Sequence, residues 1–346
     1  MTKDNKQSLL GIAHVHGPAS WRSWCGRLVH LAVAAGVAAQ HHQPTERSGR
    51  QEPERELHMT RRRVAVCFFG LSRSLPSTLP SIQGRVVDVL RAQDMDVDIF
   101  VHTYSLREVN NLRAGEDNIQ YASHIGDYKL LNATRSMTTN QDDFDMVWPD
   151  PIALTHFDWA YSSNMAPGLV RNVFRAYWSM SDVWGLMAQF ARQRSIEYDA
   201  VVLSRPDVWF HVDIDLPRRK FPLPERTVFV PSFGTFGTER TAAGTRTNDR
   251  FAYGSVTAMR VMMNRIATFM QPSLGNEGDR VSSENVLALH LQANDITVQT
   301  FTFPMARVRL TGVIPFLDHG RVRAACNSGT DPVACDMVKL GFRCPN

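Results

Sequence analysis

The sequence contains few cysteines and none of the short motifs that mark several common enzyme classes. Five cysteines in 346 residues are too few for a disulfide scaffold, and no CxxC pair indicates a zinc ribbon or a thioredoxin-type site. The P-loop pattern GxxxxGK[ST] is absent, and no GxGxxG follows the first predicted strand, which weakens a dinucleotide-binding interpretation. The absence of HExxH and GxSxG argues against zincin proteases and α/β-hydrolases.

Long hydrophobic runs are also lacking, and the one candidate membrane segment covers residues 28–39. These 12 residues, LVHLAVAAGVAA, would span about 18 Å as a helix, well short of a bilayer core. Because Arg22 and Arg27 precede the run, a weak signal anchor is one interpretation, and a short amphipathic or disordered segment is the other. Membrane association is therefore expected only through this segment, and a secretory-pathway or Golgi membrane and the cytoplasm both stay open as locations.

Positive charge is concentrated near the N-terminus. Residues 1–63 hold 10 Lys and Arg against 5 Asp and Glu, whereas the rest of the chain holds 28 against 29. The balanced remainder predicts no nucleic-acid partner. Composition predicts a disordered basic tail over residues 1–60, an α/β domain over 61–317 and an irregular C-terminal tail over 318–346. Three cysteines (326, 335 and 344) lie in that last tail, where one disulfide could form in an oxidising compartment.

Strand-like and helix-like segments alternate along the central part of the chain. Apolar runs at 64–70 and 97–104 predict two strands, with a helix between them that begins at Ser81. Apolar residues at a spacing of three to four from Val170 onward predict a long helix, followed by a buried strand at 200–203. Further strands are expected at 228–230, 251–254 and 296–301, and helices at 256–270 and from about Glu284, capped by Ser282 or Ser283. This alternation predicts the α/β class with a mostly parallel central sheet. Residues 105–165 are interpreted as an insertion or a loop-rich stretch that could help to shape a substrate site.

Polar residues follow two of the predicted strands directly. After the first strand, Gly70 would let a ligand approach the backbone, while Ser72 and Arg73 could donate hydrogen bonds to phosphate. After the strand at 200–203, the sequence reads Arg205-Pro206-Asp207. Ligands of open α/β sheets bind at the carboxyl ends of the strands, so these residues are candidates for binding a phosphate and a divalent cation. The alternatives are an ordinary strand-to-helix loop and a surface ion pair.

A second acidic motif competes with Asp207 for the metal. Asp213 and Asp215 form a DxD pattern, but Leu216-Pro217 follows, which favours a solvated turn. Asp207 is therefore the predicted ligand for Mn²⁺ or Mg²⁺, which needs only one or two carboxylates when phosphates supply the other oxygens.

Two further polar clusters precede a strand and a helix. Asn248 and Arg250 flank Asp249 just before the predicted strand at 251–254, where they could line a sugar pocket or form an Asx-turn. Glu284 stands at a helix N-terminus, where it is either a general base for an acceptor hydroxyl or a cap stabilised by the helix dipole. Asp249 is the next candidate base.

The order of these segments resembles nucleotide-sugar glycosyltransferases of the GT-A type, in particular poorly characterised members from polysaccharide synthesis. The resemblance covers roughly residues 62–303 and depends on VAVCFFGLSRS, DVDIFVHTY, YDAVVLSRPDVWF, NDRFAYG and SSEN, in that order. It implies a single GT-A-like, Rossmann-like domain in which Gly70 and Arg73 bind the nucleotide, Asp207 binds a metal and Glu284 is the base. The usual DxD is replaced by residues 205–207, so a metal-independent mode, with Arg205 neutralising the diphosphate, stays open.

The resemblance also implies a reaction and its partners. The expected function is transfer of a sugar from a nucleotide-diphosphate donor to a hydroxyl of a glycan or glycoconjugate acceptor. A catalytically inactive module that binds glycans or a protein, and another nucleotide-dependent α/β transferase, are the alternatives.

Overall fold

The computed structural model describes residues 61–111, 116–155, 158–159, 166–232, 247–270, 280–329 and 335. The predicted N-terminal tail, with its candidate anchor at 28–39, lies outside these residues. Within the described ranges, no helix combines the length and the apolar character that crossing a membrane requires.

Thirteen strands and eight α-helices occur in the described residues. The strands are β1 (Arg63–Phe69), β2 (Asp96–Ser105), β3 (Glu108–Asn111), β4 (Glu116–Gln120), β5 (Arg135–Asn140), β6 (Asp158–Trp159), β7 (Ala200–Ser204), β8 (Val208–Phe210), β9 (Thr227–Pro231), β10 (Phe251–Gly254), β11 (Arg280–Val281), β12 (Thr297–Phe301) and β13 (Met305–Arg307). The helices are α1 (Leu75–Ile82), α2 (Asp88–Ala92), α3 (Gln141–Val147), α4 (Ala166–Arg194), α5 (Val256–Met263), α6 (Ile266–Phe269), α7 (Ser283–Ala293) and α8 (Phe316–Asn327), and a π-helical turn (Gln83–Val87) joins α1 to α2.

Seven strands form the central sheet, in the order β12-β9-β10-β7-β1-β2-β5. All neighbouring pairs are parallel except those of β10, which runs antiparallel to both β7 and β9. The α/β class and the mostly parallel sheet that the sequence predicts are therefore confirmed.

Side chains of β1 alternate between two hydrophobic cores because successive residues of a strand point to opposite faces. Ala65 and Cys67 join the core beneath α4, α5 and α7. Val64 and Val66 join the core that includes α1 and α2. The sheet is thus covered by helices on both faces, and its carboxyl edge is left for polar residues.

Two boundaries differ from the sequence prediction. The helix after β1 begins at Leu75 and not at Ser81, because Pro76 fits the first helical turn and burial of Leu75 and Ile82 stabilises the earlier start. The C-terminal region predicted to be irregular from residue 318 contains most of α8, whose Val322 packs in a small core with Trp209 and Val308. Cys326 and Cys335 form a disulfide in the same region.

Candidate functional site

The polar residues singled out by the sequence gather at one edge of the central sheet. Strand β1 ends at Phe69 and β7 ends at Ser204, and Ser204 lies opposite Phe251, the first residue of antiparallel β10. Residues 70–73, 205–207 and 248–250 therefore share the edge at which parallel α/β sheets bind ligands.

The loop after β1 is open at its glycine. Gly70 has a φ of +88°, a left-handed conformation that favours glycine, and apart from Gly70 and its two chain neighbours no heavy atom of the described residues lies within 4 Å of the place a Cβ would occupy. Its backbone N–H donates to the Ser179 hydroxyl at 2.9 Å. Ser72 is buried, and its hydroxyl lies 3.1 Å from the Tyr121 hydroxyl. Gly70 thus leaves room for a ligand beside the backbone, whereas Ser72 is already bonded within the fold.

Asp207 is held between two guanidinium groups. Its carboxylate accepts two hydrogen bonds from Arg205, from Nε at 2.7 Å and from Nη2 at 2.6 Å. Arg73 approaches from the other strand end, with its Nε 3.4 Å from Oδ2 of the same carboxylate. Because Asp207 is only 1% exposed, this arrangement is a buried ion-pair network at the junction of β1 and β7.

A second buried carboxylate, Glu116 of β4, completes the network. Arg73 donates through Nη1 to one oxygen of Glu116, and the backbone N–H of Leu310 donates to the other at 2.9 Å. Sequence reasoning missed Glu116 because β4 follows a stretch without a clear period. A single acidic residue in such a stretch gives no signal of its partner 43 positions away.

The ion-pair network keeps the carboxylate of Asp207 ionised. Burial by itself would raise the pKa of Asp207, but the positive charges of Arg205 and Arg73 outweigh it and hold that pKa below the ordinary value. Burial would likewise lower the pKa of Arg205, but the charge and hydrogen bonds of Asp207 raise it. Both groups are therefore charged at neutral pH.

Arg250 and Glu284 lie next to this network. The backbone N–H of Arg205 donates to the Arg250 carbonyl at 3.2 Å, which joins the two parts of the site. Nη2 of Arg250 lies 3.6 Å from Oε1 of Glu284 in the first turn of α7. The Asx-turn interpretation of Asn248 agrees with its Oδ1 accepting from the Arg250 N–H at 2.9 Å.

Helix α7 is capped by Ser282, so Glu284 is not the capping residue. The Ser282 hydroxyl accepts from the Asn285 N–H while the Asn285 side chain accepts from the Ser282 N–H, which forms a capping box. The side chain of Glu284 is 18% exposed. Glu284 can thus face a ligand while the helix start is stabilised by other residues.

Asp249, the other candidate base, is more deeply engaged. Its carboxylate accepts a hydrogen bond from the Ser283 hydroxyl. Burial would raise its pKa, but the charges of Arg250 and Arg265 lower it below the ordinary value. A carboxylate with a lowered pKa is a weak base, which counts against Asp249 as the base.

The residues around Asp207 do not fit a divalent cation. Both Asp207 oxygens accept from guanidinium groups, and both Glu116 oxygens are hydrogen-bonded as well. Within the described ranges, no three His, Cys, Asp or Glu side chains are grouped to hold a metal ion. A cation at Asp207 would have to displace Arg205, so the metal role predicted for Asp207 stays a prediction that this arrangement does not favour.

The DxD residues lie outside this cluster. Asp213 pairs with the half-exposed Arg85 at 2.9 Å. Asp215 pairs with Arg219 and accepts from the Tyr253 hydroxyl at 2.7 Å. Both carboxylates therefore have structural partners on the body of the fold.

Comparison with known proteins gives a loose structural likeness only. No family model matches the sequence, and no curated protein matches it. Among solved structures, the chain is similar to the apo form of the glycosyltransferase GlyE from Streptococcus pneumoniae TIGR4, with 10% identity and a TM-score of 0.31 over 69% of this chain and 45% of that one. It is also similar to the galactosyltransferase LgtC in complex with donor and acceptor sugar analogues, with 10% identity and a TM-score of 0.32 over 68% of this chain and 72% of that one. The chain thus spans less than half of GlyE, and a likeness this loose carries no conclusion about what the chain does.

Proposed function

We propose that this protein transfers a sugar from a nucleotide-diphosphate donor to a hydroxyl of a glycan or glycoconjugate. One observation supports the proposal most strongly: the guanidinium groups of Arg73 and Arg205 converge on a buried site at the carboxyl edge of the sheet. A guanidinium presents paired N–H donors that match phosphate oxygens, and its charge persists when it is buried. A diphosphate that gains charge as it leaves the sugar would be stabilised there.

Glu284 is proposed to act on the acceptor. The acceptor hydroxyl attacks the anomeric carbon, its proton passes to the Glu284 carboxylate, and the bond from the anomeric carbon to the diphosphate oxygen breaks. The electron pair of that bond leaves with the diphosphate, where positive charge from Arg205 offsets it. Arg250, 3.6 Å from Glu284, would orient the carboxylate and link it to the diphosphate side of the site.

No step of this proposal requires a metal ion. The arginines supply the charge that a divalent cation would otherwise bring, in agreement with the metal-independent mode that the Arg205-Pro206-Asp207 sequence left open. The donor is therefore expected to bind in the presence of EDTA.

The experiment is a donor panel on the full-length chain. UDP- and GDP-sugars are added in EDTA and, separately, in Mn²⁺, and the melting temperature is recorded; CMP-sugars, which carry a single phosphate, are the comparison ligands. A donor at about 100 times its Kd should stabilise the protein by about 2.7 kcal/mol, which corresponds to roughly 5–11 °C for a domain of this size.

Turnover then separates the alternatives. Release of nucleotide diphosphate, with the sugar recovered on a glycan, supports the proposal, whereas nucleotide recovered on the product indicates a nucleotidyltransferase. Binding without turnover would favour the inactive module, in which the ion pair of Glu284 with Arg250 and the hydrogen bond from Ser283 to Asp249 are purely structural. If no donor raises the melting temperature and none is consumed, the proposal is wrong.

A further inference from the structure

Residues 308–310 lie across the polar edge of the sheet and beyond the part of the chain that the sequence resemblance covers. The Val308 N–H donates to the Asp207 carbonyl at 2.9 Å, and the Val308 carbonyl accepts from the Ser74 hydroxyl at 2.6 Å. The Leu310 N–H donates to Glu116 at 2.9 Å. These three bonds fix the segment against the loop after β1, β4 and the turn after β7.

Arg309, at the centre of this segment, forms no ion pair with a carboxylate of the described residues. It is 8% exposed, and within the described ranges it takes part in no salt bridge. Its Nε atom is buried without a hydrogen-bond partner. By contrast, Arg73, Arg205, Arg250 and Arg307 each lie within 4.0 Å of a carboxylate.

The surroundings of Arg309 disfavour its positive charge. Burial, followed by the nearby charge of Arg73, lowers the pKa of Arg309 to about 9, and Asp207 opposes this shift. Since a guanidinium keeps its proton in proteins, the lowered pKa means that a charge only partly compensated by Asp207 is held in place at a cost in stability. Such a charge is compensated when an anion binds.

Arg265 is a second buried guanidinium without a hydrogen-bond partner among the described residues, and its charge is compensated in a different way. Arg265 is 0% exposed and its three side-chain nitrogens have no hydrogen-bond partner, but it lies 4.5 Å over the ring of Tyr177. A cation–π contact of this kind partly compensates the charge, and full burial denies access to a ligand. Arg309 is not among the cation–π contacts of the described residues, and it lies at the edge of the sheet.

We propose that Arg309 is a binding residue for the diphosphate group of the donor, acting together with Arg73. The identity of the ligand rests on the proposed function, whereas the anion site itself rests on the unpaired guanidinium. The two carboxylates of Asp207 and Glu116 balance the charges of Arg205 and Arg73. With Arg309 included, the group of five side chains therefore has a net positive charge. A doubly charged phosphate ligand, with oxygens on two phosphorus atoms, could bridge neighbouring guanidinium groups.

The test measures the binding of inorganic pyrophosphate to the full-length chain in EDTA, by calorimetry and by thermal shift. Orthophosphate and glucuronate are the comparison ligands, because they represent a single phosphate and an acidic sugar. Arg309→Met keeps the apolar stem and removes the charge, and Arg309→Gln is a second neutral variant. Arg226→Met is the matched control, because it removes the same charge from an exposed pair with Asp295 before the amino end of β9.

Wild-type protein is expected to bind pyrophosphate more tightly than either comparison ligand. Both Arg309 variants should weaken pyrophosphate binding by about tenfold or more, the effect of losing one hydrogen-bonded charge. Without ligand, both should melt at or above the wild-type temperature, because a buried charge that is only partly compensated has been removed. Arg226→Met should change neither quantity appreciably.

Three results would overturn the inference. Unchanged pyrophosphate affinity in the Arg309 variants would remove the anion role, and a lower melting temperature without ligand would show that the guanidinium has a structural partner. Tighter binding of glucuronate than of pyrophosphate would assign the site to an acidic sugar. If pyrophosphate binding depends on Arg309 but no nucleotide sugar is turned over, this inference stands and the proposed transferase activity fails.

Discussion

Replacing Asp207 by asparagine tests whether the network at the sheet edge is as tightly coupled as its geometry indicates. The carboxylate is 1% exposed and serves as counter-charge to Arg205, at 2.6 and 2.7 Å, and to Arg73, at 3.4 Å. Asparagine keeps the volume but turns an NH₂ group toward one guanidinium and leaves both arginines without this charge. The substitution therefore breaks a buried ion pair on one side only.

The expected loss is large for a single isosteric change. Removing one partner of a buried ion pair typically costs about 3–5 kcal/mol, which corresponds to a fall in melting temperature of roughly 6–20 °C for a domain of this size. The pH dependence has a definite sign. Because the folded pKa of Asp207 is lowered from 3.8, the stability it contributes is present above that pH and is lost as the pH falls below it.

Chemical denaturation of the full-length chain measures the free energy of unfolding and, repeated over a pH series, its pH dependence. Asp213→Asn provides the control. Asp213 is 46% exposed and pairs with Arg85 at 2.9 Å, so the same substitution there should cost only about 0–1 kcal/mol. Between roughly pH 5 and pH 2, the wild type should lose more stability than Asp207→Asn does. Equal stabilities of the two variants at neutral pH would refute the coupled network and return Asp207 to the role of a free ligand.

Three further perturbations address other groups in the fold. Glu284→Gln should lower turnover by about 10²–10⁴-fold and the free energy of unfolding by only about 0.3–1 kcal/mol. The control, Glu225→Gln, changes an exposed residue before the amino end of β9 and should leave turnover unchanged. Full activity in Glu284→Gln would show that Glu284 is not the base. Burial raises the pKa of Asp182 to about 7, so stability should fall as the pH rises from about 4 to about 7, and a pH series of denaturation curves for Asp182→Asn should be flatter; an equal slope would contradict the shift. Reducing the disulfide of Cys326 and Cys335 should lower the unfolding free energy by about 2–3 kcal/mol in wild type and by nothing in Cys335→Ser, and equal sensitivity of the two to reductant would argue against this pairing.

The sheet could be predicted because its signals are local. Strand β1 was expected at residues 64–70 and occurs at Arg63–Phe69, and the strand expected at 251–254 has the predicted bounds. Strands of the central sheet that are buried on both faces appear in sequence as short apolar runs, and those runs report burial without reference to any partner. The predicted start of α1 was wrong because Pro80, inside the helix, favours a loop by local rules, and burial of Leu75 and Ile82 outweighs it.

The site was predicted in outline only, since its parts are joined by contacts that no local pattern encodes. The residues after β1 and β7 were expected together because parallel strands end at a common edge. That Arg205 would bind Asp207, leaving no free carboxylate oxygen, depends on rotamers and not on spacing. Arg309 gave no signal, because it follows a short edge strand and its position depends on a hydrogen bond between Val308 and Ser74, 234 residues apart.

The pairing pattern also determines which arginine contributes most to anion binding. Arg205 already donates two hydrogen bonds to Asp207, so a ligand that takes one of them must first lose part of that interaction. Arg73 has the same constraint, because it interacts with both Asp207 and Glu116. Arg309 has no carboxylate partner to release. Of the three arginines, it therefore loses the least existing interaction when a phosphate binds. The paired arginines hold the site in shape before the ligand arrives, and the unpaired one supplies the larger share of the gain on binding.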